Sequence, residues 1–249
     1  MNSGDYRQNN VIQTGFYSSI ILTVITLITF IAAMTAIPPS GPYCPANCME
    51  YPFSDSLTYY PRDYYWMYFA IFQIITFIIL MISVYFITPP EKKIYSFIGI
   101  TFAMIASTVL LADYFIQFAV VPISFIKRET DGIALLSQYN GHGIFIALEE
   151  LGYFMMSLAF LFIAPAFLWR IRLERAIRWI LTLPIVVTIF AFVFYSIKYG
   201  IDRSYRFEVA AITVNWLTLI IIGILEGIFF HRKKKMKILR FELNIKNQF

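Results

Sequence analysis

The stretch Gly141–Arg170, GHGIFIALEELGYFMMSLAFLFIAPAFLWR, decides the reading of this chain. From Gly143 to Trp169 its only charged residues are Glu149 and Glu150. At about 1.5 Å rise per residue, such a run is long enough to cross the roughly 30 Å hydrocarbon layer of a bilayer as a helix. An ionisable side chain inside a span costs roughly 2.5 kcal/mol or more, so it normally faces a protein interior or a wet cavity. Two adjacent glutamates about two turns inside the helix are therefore expected to mark a site.

Composition places the rest of the chain in the same class. Of 249 residues, 59% are apolar and 14% charged, with mean hydropathy +0.68; a soluble domain would carry roughly 25% charged residues. Apolar runs of spanning length lie near 15–37, 65–88, 94–122, 143–169, 177–197 and 207–230. These predict an all-α integral membrane protein, one bundle of six transmembrane helices over residues 1–249, and no second domain. Pro38-Pro39, Pro89-Pro90 and Pro122 punctuate the runs, and Tyr64, Tyr65, Trp66, Trp169 and Trp179 sit where interfaces are expected. A β-barrel is excluded, because the runs lack period-two alternation and far exceed about ten residues.

Charge orients the bundle. With both termini on one side, that side holds Arg7, Lys92, Lys93, Arg170, Arg172, Arg175, Arg178 and the seven cations of the basic tail 231–249. The opposite side holds Arg62, Lys127, Arg128, Lys198, Arg203 and Arg206, so the ratio is fourteen to six. The positive-inside rule then predicts cytoplasmic termini in a plasma membrane. The clustering beside the last span assigns the net charge of +5 to the membrane surface rather than to nucleic acid. MNSGDYRQNNVIQTG lacks the basic start of a signal peptide, so the first span is read as a retained anchor.

The orientation puts the Tyr/Pro-rich loop 38–64 outside, together with the only two cysteines, Cys44 and Cys48 of CPANC. In an oxidising compartment these are expected to form a local disulfide; two thiols alone are a poor zinc site, and no metal site is assigned.

Topology turns scattered polar residues into a set. Asp113 and Gln117 near the end of the third span, Glu149 and Glu150 in the fourth, Asn215 in the sixth and Gln73 in the second all fall about 8–14 Å below the outer surface. Asp113 and Gln117, four apart, are expected to hydrogen-bond. Glu149 and Glu150 point about 100° apart, and Glu149 shares its face with Tyr153 and, two turns earlier, His142, which favours Glu149 for the cavity. No Lys or Arg lies at this depth, so clustered carboxylates are expected either to hold a proton or to take a compensating cation. Asn215 and Gln73 read equally well as hydrogen bonds that hold helices together. Glu226 is expected to reach tail or loop arginines, and Gly223 and Gly227 to allow close packing within the bundle or with a second copy of the chain.

The function expected from these residues is binding or transport of a cation, proton or small amphipathic ligand in an outward-facing, carboxylate-lined pocket. Two other classes stay open: an intramembrane enzyme using paired carboxylates on a lipid-like substrate, and a non-catalytic sensor or accessory subunit. No cofactor is assigned; GxSxG, HExxH and phosphate-binding glycine loops are missing from the sequence. The bilayer itself is the remaining expected partner.

Overall fold

The computed structural model describes residues 3–36 and 38–246, with side chains described over 8–36 and 38–237. Ile37, the last residue of the expected first span, and tail residues 247–249 lie outside the described residues. The described part is all-helical: α1 (Ser3–Thr35), α2 (Tyr65–Ile87), α3 (Lys93–Ala119), α4 (Val121–Lys127), α5 (Ile133–Leu136), α6 (Ile144–Ile163), α7 (Arg172–Tyr199) and α8 (Arg206–Lys246). Among them are six helices long and apolar enough to cross a membrane, in the positions the apolar runs predict.

Prolines set the departures in length. Pro165 cannot continue α6, so the expected fourth span stops at Ile163 and a short 3-10 turn, Ala164–Ala166, carries the chain on. Pro122 instead sits in the first turn of α4, where its missing N–H costs nothing, and the chain stays helical to Lys127. Arg172 and Arg175, expected before the fifth span, ride with Arg178 on the first two turns of α7. The basic tail continues α8 as a helix to Lys246.

The long helices pack as a ring in chain order, α1–α2–α3–α6–α7–α8, closed by α8 against α1, with α6 leaning inward to touch α8 as well. Consecutive members run antiparallel. The start of α1 therefore meets the end of α8, where Phe16 packs on His231 with ring centroids 5.7 Å apart. Both ends of the described chain lie at this terminal end of the bundle; the loops 38–64 and 128–143 lie at the opposite, loop end.

Small residues bring the helices close. A Cβ on Gly223 would collide with the Thr23 hydroxyl and lie 2.8 Å from the Ser19 carbonyl oxygen, and one on Gly227 would lie 3.0 Å from Ser19 Oγ. The GxxxG pair thus faces α1 of the same chain, the close packing expected within the bundle. Glu226 also departs from expectation. It lies on the inward face of α8 between buried Gly223 and Phe230, with Oε2 lacking a hydrogen-bond partner. Helix rotation, set by the glycine contact, keeps it from the arginines.

Candidate functional site

At the loop end the bundle encloses a cavity of about 380 Å³. Its floor and walls are aromatic: Trp66 from α2, Phe145 from α6, Trp216 from α8 and Phe30 from α1. Two carboxyl groups project into it, Glu149 from α6 and Glu208 from the first turn of α8, 1% and 7% exposed. They are near enough for their charges to interact, and Glu208 Oε2 has no hydrogen-bond partner.

Asp63 and Glu150 are matched to cations, and this pair is not. Asp63, also on the cavity wall, receives Arg62 Nε at 2.7 Å and the Tyr139 hydroxyl at 3.4 Å. Glu150 turns away from the cavity to Arg203, 3.4 Å away, whose guanidinium also lies over the Phe192 ring. Among the described residues no Lys, Arg or His lines the cavity. Two buried neighbouring carboxyls require a proton or a positive ligand, because desolvation and like-charge repulsion both oppose two bare charges.

A chain of donors fixes Glu149. Trp216 Nε1 donates to the Tyr153 hydroxyl at 2.9 Å, the Tyr153 and Tyr114 hydroxyls lie 2.8 Å apart, and Tyr114 donates to Glu149 Oε1 at 2.8 Å. Each hydroxyl has one proton and indole N–H can only donate, so with Tyr114 donating to Glu149 the direction is set: Trp216 to Tyr153 to Tyr114 to Glu149. All three ring residues are buried, which makes the orientation of the carboxylate a property of the core.

The roof comes from the two loops. Ser40 donates to the Tyr139 carbonyl at 2.8 Å and shares a 3.0 Å hydrogen bond with the Tyr205 hydroxyl. Tyr205 lies 3.1 Å from the Gln138 carbonyl. Burial pushes the Tyr139 and Tyr205 phenols above their usual range, so both remain protonated donors. Cys44 and Cys48 form a disulfide at this end, in the loop that supplies Ser40. Phe53 packs with Tyr139 and Ala134, joining that loop to the second one.

Of the residues selected from sequence, Glu149 alone lines the cavity. Tyr153 stands one hydrogen bond behind it. Asp113 is buried at the same level, near enough to Glu149 for their charges to interact, yet outside the cavity wall. The expected Asp113–Gln117 bond is not made: Gln117 Oε1 turns to the second loop and accepts the Gln138 N–H at 3.0 Å, leaving Gln117 Nε2 and Asp113 Oδ2 without partners. Asn215 binds Ser157 Oγ and the Tyr153 and Ala211 carbonyls, joining α6 to α8. Gln73 is buried in α2 with Oε1 unpartnered. His142 is exposed, and only its backbone N–H is engaged, by Asn140 Oδ1.

The sequence reading missed Glu208, Asp63, Trp66, Tyr114 and Trp216. A signal for Glu208 existed: Glu208, Ile212, Asn215 and Trp216 share the i, i+4, i+7, i+8 face of the last helix. Among the described residues no group of three or more His, Cys, Asp or Glu side chains could hold a metal ion. No protein-family model matches the chain, and no similar protein was found among curated proteins or solved structures.

Proposed function

We propose that this chain is a multi-pass plasma-membrane protein, termini cytoplasmic, that captures or transports a small cationic ligand in a pocket opening on the outer side. The observation that carries the reading is the uncompensated carboxyl pair, Glu149 with Glu208, in an aromatic cavity without a basic side chain. A cation there would sit between two carboxyl groups, and indole faces attract cations within about 6 Å of the ring centroid, Trp most strongly. The scarcity of hard donors favours an organic cation over a chelated metal. The fourteen-to-six bias of Lys and Arg toward the terminal end supports the orientation. The disulfide at the cavity end supports it independently, since such bonds persist in oxidising compartments.

The test is equilibrium dialysis of labelled ethylammonium against the protein in phosphatidylcholine nanodiscs. Saturable binding is expected, weakened at least tenfold by Glu149→Gln or Glu208→Gln. Equal binding by both variants would remove the pair from the site. Uptake by proteoliposomes, measured with the same cation, then separates transport from capture.

A further inference from the structure

The residues around the cavity differ sharply in exposure. Asp63 at the end of the first loop and every lining residue from α2, α6 and the second loop are buried or half-buried: Trp66, Gln138, Tyr139, Phe145, Ile146 and Glu149. The exposed ones are Met34, Pro38, Tyr43 and Val209. All four belong to one flank, where the end of α1 and the segment after it meet the start of α8. Above the cavity, Ser40, Gln138, Tyr139 and Tyr205 are hydrogen-bonded into a roof. The cavity is thus covered on top and open at its side.

In the orientation proposed above, that side faces the lipid. Met34 lies one residue before the end of α1 and Val209 in the first turn of α8, so the gap falls at the top of the hydrocarbon layer. Its rim is apolar except for the Tyr43 hydroxyl. A fully hydrated ion approaching from water would have to cross either the tied roof or an apolar rim. A molecule already lying in the outer leaflet would meet the opening directly, head group at the level of the carboxyls and tail in the bilayer.

Head-group chemistry follows from the acceptors. Glu208 Oε2 has no partner and Glu149 offers Oε2 beside the Tyr114-bound Oε1. A primary ammonium carries three N–H donors and can satisfy both carboxyls at once; a quaternary ammonium carries none. Resting on the function proposed above, we infer that the ligand is a single-chain amphiphile with a primary ammonium head, which reaches Glu149 and Glu208 sideways from the outer leaflet between α1 and α8.

The experiment compares decylamine with ethylamine, each measured by dialysis against protein in phosphatidylcholine nanodiscs and corrected with empty discs. Decylamine is expected to bind at least tenfold more tightly than ethylamine. Met34→Trp and Val209→Trp, made separately because each narrows the gap from a different helix, are expected to lower that ratio at least threefold. Decyltrimethylammonium is expected to bind at least tenfold more weakly than decylamine. If ethylamine binds as tightly as decylamine with the same dependence on the carboxyls, or if both rim variants keep the ratio, the lateral amphiphile is refuted while the charged pocket stands. If neither amine binds above empty discs, or Glu149→Gln with Glu208→Gln leaves both bound, the pocket reading fails and this inference with it.

Discussion

Replacing Tyr153 by Phe removes one oxygen from the middle of the chain that runs from Trp216 to Glu149, and the structure gives the cost. The Trp216 N–H loses its acceptor in a buried setting, worth about 1–3 kcal/mol, and the Tyr153–Tyr114 hydrogen bond, about 0.5–1.5 kcal/mol, goes with it. Hydrogen bonds inside membrane bundles run weaker, averaging about 0.6 and reaching about 1.7 kcal/mol in double-mutant cycles. A loss of about 1–2 kcal/mol is therefore expected. With Trp216→Phe already present there is no N–H to strand, so Tyr153→Phe should cost about 1 kcal/mol less than in the native background. Reversible unfolding in mixed detergent micelles, applied to the four proteins of the cycle, measures both quantities. A coupling indistinguishable from zero, or Tyr153→Phe more stable than the native chain, would refute the donor chain and the claim that the core orients Glu149.

Other perturbations test separate parts of the structure. In the absence of ligand, Glu208→Gln should raise thermal stability, since it removes one of two uncompensated buried carboxyls; Glu150→Gln should lower it by no more than about 1 kcal/mol, because the partly exposed Arg203 partner stays near solvent. The opposite ordering in a melting experiment would mean that the acids have been sorted wrongly. Gly223→Leu should destabilise by about 1–3 kcal/mol through collision with Ser19 and Thr23, without changing the size of the detergent complex on a sizing column; a shift toward smaller particles would instead reveal a dimer held by that face. After mild reduction, a membrane-impermeant maleimide should label Cys44 and Cys48 on intact cells, and labelling seen only on inside-out vesicles would reverse the proposed orientation.

Much of the fold was legible in the sequence because a bilayer leaves so few choices. A backbone in hydrocarbon must satisfy its own hydrogen bonds, so apolar runs of that length become helices, and Pro89-Pro90 marked where α2 stops, while the stop at Pro165 was not read. The depth of Glu149 followed from counting residues along one helix. The site was less legible, since belonging to it depends on how each helix is rotated against its neighbours. Asp113 and Glu149 share a level, but only Glu149 reaches the cavity. Gln117 was expected to serve Asp113 and instead holds the second loop. Glu208 sits where an interfacial acid would sit, and only the contact with α6 makes it half of a pair.

The sequence by itself determined six helices, their order, the cysteine pair and one of the three carboxyl residues that line the cavity, because rise per residue and the cost of polar groups in lipid act along a single segment. The tertiary structure alone decided that Glu149 shares the cavity with Glu208 and not with Asp113, that Gly223 serves α1 and that the cavity opens beside α8. One residue turns a helix by about 100°, so facing is settled by packing between segments far apart in the chain.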